Sequence, residues 1–505
     1  MENHELTDLG NAERLYDLFG SELRYSLQTK WLAWNHKVWE DGTLACAYHA
    51  TKVHGRIRDE AAQIWDDEGG GSGTLDKKTM SQLQKRMKKY DSAAERAQSA
   101  KGIDGMLHLA RSLPSLYVHP NRLNSDHQLL NLQNGILDLD KGSLNEHDPE
   151  RLMTCLSGAP WKQDEGWFEQ ESEAGEEGVA SRIDETFDIK SECPKWDWFL
   201  NDIFQGSEKL IETVRQCFGY SLSGYASEHC IFVLHGTGRN GKGTLVHVLQ
   251  KLMGTYCKTT PVETLMAKQY GSGIPNDLAR LMDARVVLAS EGDSGETLAE
   301  SLVKRITGED TIACRFLRKE FFEFSPRFKV WFTTNHKPEL KNVDPAMKDR
   351  IRMIPFEMYY SPERRDPDLK TKLEKELPGI LKWAVGGYQA WLDQGKRIEF
   401  SSEVVEATAE YFEEQDTMGQ FILECCERGP AHSALSTDIY AVYKKWAESQ
   451  KLAPLSQKAF SPKFFAQGGI EKKKSHGRIL FLKIRLVDSS KAEEIGWNLN
   501  ENDRF

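Results

Sequence analysis

The sequence predicts an α/β protein. A central parallel sheet should be wrapped by helices, preceded by a mainly helical region and followed by a smaller unit of helices and a strand. Three observations carry this expectation. Four short apolar runs between residues 229 and 358 (CIFVLHG, ARVVLASEGD, FKVWFTTN and RIRMIPFEM) have the length and β-branched content of strands buried on both faces, and helical stretches separate the first three. The first run passes directly into a glycine-rich loop and then into the helix-like LVHVLQKLM. The chain has 505 residues, 39% hydrophobic and 28% charged, which suits about three globular domains.

In chain order, residues 1–160 form the mainly helical N-terminal domain. LGNAERLYDLFGSEL and QKRMKKYDSAAERAQSA have helical periodicity, and GGGSG breaks the pattern between them. At 127–144, short apolar runs around Asn-Gly and Asp-Lys-Gly turns predict a small β element. Residues 161–194 contain DEGWFEQESEAGEEG, acidic and glycine-containing, and are expected to be an exposed linker. The sheet core spans 195–398. The C-terminal domain, 399–490, reads as helices followed by the apolar strand GRILFLKIRLV, and 491–505 as a tail.

Composition excludes several classes. No run approaches the roughly 18 apolar residues of a membrane span, and MENHELTDLGNAERL lacks the basic start and apolar stretch of a secretory signal. Nine cysteines without a CxxC pair are neither a disulfide framework nor a zinc ribbon, so a reducing cytoplasm is expected. Cys46, His49 and His54 have nearly ligand-like spacing but lack a fourth partner, and are read as part of a helical surface. The 66 Lys+Arg against 77 Asp+Glu give a net charge of −11, which argues against a uniformly basic coat but not against a local basic channel.

The strongest chemical signal is IFVLHGTGRNGKGT, residues 231–244. Gly236, Gly238, Asn240, Gly241, Lys242, Gly243 and Thr244 lie between a strand and a helix, where glycines let N–H groups turn toward phosphates and Lys242 reaches the β/γ-phosphates. Gly243 stands where a Mg²⁺-binding Ser or Thr is usual, so Thr244 is the candidate for that task. Glu291, after the second run, could hold the Mg²⁺ water shell or polarise water, with Asp293 as the alternative acid. Asn335 ends the third run, and its amide could meet a phosphate oxygen and a water; it could also be a turn former. In DPAMKDRIRMIPFE, Arg350 and Arg352 are expected on different sides of a strand, with one of them serving as an arginine finger.

KRITGEDTIACRFLRKEFFEFSPRFKVWFTTNHKPEL, followed by KDRIRMIPF, resembles the C-terminal half of the phage and plasmid primase-helicases, poxvirus-like superfamily 3 helicases of the AAA+ class. The likeness reaches back through CFGYSLSG to the NLQNGILDLDKG segment. It implies an AAA+ core that binds ATP and Mg²⁺ at Lys242, Thr244 and Glu291, with Asn335 as sensor and Arg350 as finger. It also implies a hexameric ring, a pore loop within 304–319, and a winged-helix C-terminal domain. Lys304, Arg305, Arg315, Arg318 and Lys319 would face single-stranded DNA, and Lys472, Lys473 and Lys474 a duplex or fork. The expected activity is ATP-dependent DNA unwinding during replication of a phage, plasmid or mobile element in a bacterial cytoplasm. A separate primase or polymerase is an expected partner, because no primase carboxylate constellation is recognised here. An ATP-switched initiator or loader, or a nucleic-acid-stimulated defence ATPase, is the alternative.

Overall fold

The computed structural model describes residues 4–162, 192–267, 276–290, 296–308, 310–317, 319–341, 343–475 and 478–487. Most of the acidic 161–194 stretch, Glu291, Asp293, Arg318 and the 491–505 tail therefore lie outside the described residues.

The N-terminal region begins with α1 (Asp8–Phe19), capped by Thr7, whose hydroxyl accepts from the Gly10 amide at 3.2 Å. Strands β1 (Leu23–Ser26), β2 (Lys30–Trp34) and β3 (Trp39–Asp41) follow as an antiparallel sheet. Four helices complete the region: α2 (Thr43–Ala50), α3 (Val53–Asp67), α4 (Lys77–Ala97) and α5 (Ala100–Ala110). The sheet β1–β3 is an addition to the expected helices, because its strands are too short for alternation to distinguish them from turns. Leu15, Ile57, Leu83, Tyr90 and Met106 close a common core.

That core encloses an ion pair. Arg14 is 0% and Glu60 5% exposed, and the guanidinium donates to the carboxylate through Nε at 2.9 Å and Nη2 at 2.6 Å. The remaining Arg14 hydrogens meet the His4 and Glu5 carbonyls and Asn11 Oδ1. A buried charge whose partner is removed costs about 3–5 kcal/mol. Glu60→Ala should therefore lower unfolding stability of the N-terminal region by about that amount, read as a shift in denaturant midpoint with an unchanged slope.

At 127–144 the expected β element is present as β4 (Leu129–Leu132), β5 (Gly135–Asp138) and β6 (Ser143–Asn145), an antiparallel sheet. Leu130, Leu132 and Leu137 share one core with strands and helices of the central sheet, so this small sheet packs directly on the α/β unit.

Helices α6 (Pro194–Ile203) and α7 (Glu208–Leu222) lead into β7 (Ile231–His235) and α8 (Lys242–Met253). Next come β8 (Cys257–Thr260), α9 (Asn276–Ala279), β9 (Val286–Ser290) and α10 (Glu300–Ile306). A hairpin of β10 (Ile312–Cys314) and β11 (Phe322–Phe324) precedes β12 (Lys329–Thr334), α11 (Pro345–Lys348) and β13 (Ile351–Pro355). Five strands pair in parallel in the order β13-β7-β12-β9-β8. All four apolar runs of the sequence are in this sheet. The edge strand β8, Cys-Lys-Thr-Thr, has no apolar run to announce it.

Side chains alternate between two cores, as strands covered on both faces require. Phe232, Leu234, Leu288, Trp331 and Ile354 pack on one side with α7, α8 and α13 (Leu377–Asp393), which follows α12 (Leu369–Lys375). Ile231, Val233, Val287, Phe332 and Met353 pack on the other with α10 and α14 (Ser402–Gln415). Helices α7 and α13 touch at Gly219, where a Cβ would collide with the Gly387–Tyr388 backbone.

The C-terminal unit contains α15 (Thr417–Cys425), β14 (Cys426–Leu435), α16 (Ser436–Ser449), α17 (Gln457–Ala466), β15 (Glu471–Ser475) and β16 (Arg478–Leu486). Its antiparallel sheet has the order β14-β16-β15, over a core of Phe421, Tyr443, Trp446, Phe460, Phe464 and Phe481. Strand β14 is an addition to the expected helices and strand. Its Gly429-Pro430 reads as a turn, and the structure accommodates it as a register shift between Arg428 and Ser433.

All nine cysteines are free thiols. Cys46 is buried in the N-terminal core, the His49 ring lies tilted against Phe19 with centroids 4.1 Å apart, and His54 Nδ1 lies 2.6 Å from the Thr51 carbonyl. Among the described residues no group of three or more His, Cys, Asp or Glu is arranged to hold a metal, and no helix is long and apolar enough to cross a membrane.

Candidate functional site

The 236–241 loop leaves the carboxyl end of β7 and enters α8 at Lys242. Such a tight reversal needs left-handed backbone, and Gly238 (φ 93°) and Gly241 (φ 92°) supply it. Arg239, at φ 54°, is the one side-chain-bearing residue of the loop in that region. Gly241 has a second reason to be glycine, since a Cβ there would stand 2.6 Å from Ile203 Cγ2.

Lys242 is 6% exposed at the first position of α8. Its ammonium donates to the Gly236 carbonyl at 2.7 Å, Asn335 Oδ1 at 3.1 Å and Asn240 Oδ1 at 3.2 Å. Asn335 follows β12, which lies beside β7 with Thr334 opposite His235. The loop, Lys242 and Asn335 therefore converge at the carboxyl edge of the sheet, where open α/β sheets bind ligands. β9 ends at the same edge, with Ser290 opposite Thr333; Glu291 is the next residue in sequence.

Within the loop, Asn240 directs its side chain inward. It is 2% exposed, and its amide donates to the Phe356 carbonyl at 3.1 Å, tying the loop to the end of β13. Its side chain braces the loop and the lysine. Thr244 is half-buried in the first turn of α8, and Gly243 is exposed. Burial, with the Lys337 and Lys242 cations nearby, holds the His235 imidazole below its usual pKa, so it adds no positive charge at neutral pH.

Sequence reasoning missed a cleft of about 330 Å³ beside this loop. Trp198, Phe199, Arg239, Thr244, Tyr360 and Arg364 are among its lining residues. Tyr360 anchors one wall: its amide donates to the Arg239 carbonyl at 2.8 Å, and its hydroxyl donates to Asp202 at 2.6 Å. Burial and the Asp202 carboxylate both push that hydroxyl's pKa up. The Arg364 guanidinium lies 5.5 Å from the Tyr360 ring centroid. The run YYSPERR, just after β13, was the available signal, because it places aromatic and basic residues past the binding edge.

Arg350 is not at this edge. It immediately precedes β13, whose Ile351 pairs with Ile231 at the amino end of β7, while Pro355 pairs with His235 at the carboxyl end. Counted from the position beside Cys230 to Gly236, about 20 Å of strand, at roughly 3.3 Å per residue, separates it from the start of the loop. Its Nη1 donates to the Ala346 carbonyl at 2.9 Å, and its Nε is buried with no hydrogen-bond partner among the described residues. The expectation that alternation separates Arg350 from Arg352 is corrected, because residues two apart in a strand share a face. They differ because Arg350 lies outside the strand, whereas Arg352, within it, covers the Phe400 ring at 5.0 Å.

The basic residues of 304–319 divide in two. Lys304 and Arg305 sit on α10 rather than on the hairpin, and Lys304 Nζ is 2.6 Å from Asp344 Oδ2. Arg315 and Lys319 are exposed between β10 and β11. There Arg315 lies 4.9 Å from the ring centroid of Phe321, which is 53% exposed, and Leu317 is 73% exposed. Phe316 and Phe322 stack at 5.6 Å and pack on the core. Lys472, Lys473 and Lys474 are exposed along β15, paired with β16.

Two stretches of the chain match known families. Residues 12–205 match a family described as D5 N terminal like, and 234–352 match a family of unknown function (DUF5906). "Putative helicase 022R" of Frog virus 3 (isolate Goorha) is 27% identical over 309 residues, covering 56% of this chain and 31% of that protein. "Putative helicase L207/L206" of Acanthamoeba polyphaga mimivirus is 27% identical over 264 residues, covering 52% of this chain and 25% of that protein. The chain thus spans about a quarter to a third of the length of these relatives. Among solved structures, the apo C terminal region of NrS-1 is similar at 10% identity and a TM-score of 0.40, covering 58% of this chain and 76% of that one. The chain's likeness is thus to a D5 N-terminal-like region and to viral proteins named as putative helicases.

Proposed function

We propose that the chain is the motor portion of an ATP-dependent DNA helicase of superfamily 3, with an AAA+ core at 195–398. On this reading 1–160 is the N-terminal domain, 161–194 a linker, and 399–490 a winged-helix domain with β15 and β16 as its wing. The observation that carries the proposal is the meeting of Lys242, the 236–241 loop and Asn335 at the carboxyl edge of a parallel sheet.

The residues fit a nucleoside triphosphate. Loop N–H groups and the start of α8 face an anion with partial positive charge, and Lys242 adds a full one. Thr244 offers the hydroxyl and Glu291 the carboxylate for Mg²⁺. The cleft lined by Trp198, Tyr360 and Arg364 is large enough for a base and ribose. Bound ATP and Mg²⁺ supply the phosphoryl group and the counter-charge. Lys242 stabilises charge on the phosphoryl oxygens, while Asn335 orients the water and the lysine together.

Arg350, at the amino edge of its own sheet, is proposed to serve a neighbouring subunit, and the assembly is proposed to be a hexameric ring. The 315–321 tip, with Arg315 over Phe321 and Lys319 exposed, contacts single-stranded DNA in the pore. Lys472, Lys473 and Lys474 meet the duplex backbone at the fork. A test short of unwinding is stimulation of turnover by single-stranded DNA. Arg315→Ala with Phe321→Ala should leave DNA-free ATP turnover unchanged and abolish the stimulation. Stimulation at wild-type level in that double variant would show that the hairpin does not hold the DNA.

A further inference from the structure

A second concentration of positive charge lies in the N-terminal region, on α4. Lys78, Lys85, Lys89 and Arg96 recur at spacings of seven, four and seven residues. At about 100° per residue this places them within roughly 40° of one another, over about 27 Å of helix axis. All four are exposed, and among the described residues none takes part in an ion pair. Leu83, Tyr90, Ala93, Ala94 and Ala97 form the buried face of the helix. Asp91 and Glu95 fall on the opposite flank of the stripe by the same periodicity. Arg86 sits at its edge, paired with Glu68. Leu6, Gln82, Lys85, Arg86, Lys89 and Tyr90 line an open groove of about 520 Å³ beside it.

We propose that this face of α4 binds the phosphate backbone of a nucleic acid outside the ring pore, without reading bases. The inference rests on the nucleic-acid reading of the whole chain. Charge complementarity identifies the occupant. In a chain of net charge −11, four aligned cations without carboxylate partners reverse the local sign. Their span matches about eight nucleotides of duplex rise at 3.4 Å each. Gln82 and Ser92 flank the stripe with neutral donors, the usual company of phosphate-directed lysines.

The test uses the full chain without nucleotide, binding a fluorescent single strand and the matching duplex across a salt series. Each phosphate contact contributes about 0.7–0.9 to the slope of log K against log salt, so K78Q/K85Q/K89Q/R96Q should lower that slope by about 3 and weaken low-salt binding at least about tenfold. K85Q/K89Q should lose affinity where the charge-matched, off-stripe K77Q/K88Q does not, and DNA-free ATP turnover should be unchanged in all three. A greater loss on the duplex or on the single strand identifies which form the stripe holds. Wild-type slope in the quadruple variant, or equal losses in the two double variants, would overturn the proposal while leaving the helicase reading intact. A wild-type chain that binds neither DNA would overturn both.

Discussion

Lys242→Ala is expected to reduce ATP turnover by at least about 10³-fold, or about 4 kcal/mol of transition-state stabilisation at 1.36 kcal/mol per tenfold. Three interactions made by one ammonium support that size: Gly236 O, Asn240 Oδ1 and Asn335 Oδ1 lie 2.7–3.2 Å from Nζ. Removing the side chain deletes the charge proposed to face the phosphates and also the post that aligns Asn335 with the loop. Fold stability should change much less, because α8 is anchored on its apolar face by Leu245, Val248, Leu249 and Leu252. Steady-state phosphate release, with circular dichroism as the control, measures both. Turnover within tenfold of wild type would show that the loop is not the catalytic phosphate site.

Arg350→Ala is expected to abolish turnover while leaving nucleotide affinity within about twofold. Arginine fingers contribute about 10³–10⁵ in rate, and Arg350 is too far along its own sheet to touch the phosphates bound by its own loop. The stronger check is mixing. An interface that takes Lys242 from an Arg350→Ala subunit and Arg350 from a Lys242→Ala subunit is complete, so the two inactive variants should regain part of the wild-type rate when combined. Normal hydrolysis by Arg350→Ala alone would refute the finger. Two inactive variants that stay inactive when mixed would refute its action across subunits.

The central sheet was legible in the sequence because parallel strands covered on both faces must be almost wholly apolar, and four of its five strands are. The fifth, β8, is an edge strand and needs no such run. The short strands β1–β3 and the interrupted β14 were illegible for a related reason: their apolar residues are too few, or too broken by Gly-Pro, to establish a period. Among site residues, Lys242 and Asn335 could be placed at one edge from strand order alone. Asn240 could not, because its bracing bond reaches Phe356, a residue 116 positions away. The cleft wall of Trp198, Tyr360 and Arg364 was hidden in the same way, by elements that meet only in the folded chain. Lys304 shows the converse: its charge suits a DNA-facing loop, but the fold places it on α10 against Asp344.

ATP hydrolysis at this site is proposed to drive strand separation, and strand displacement on forked DNA by the purified chain, with and without ATP, tests that most directly. Displacement is expected with ATP, none without it, and none with Lys242→Ala. DNA-stimulated turnover without displacement would contradict the helicase reading, and would favour an ATP-switched initiator or loader, or a nucleic-acid-stimulated defence ATPase.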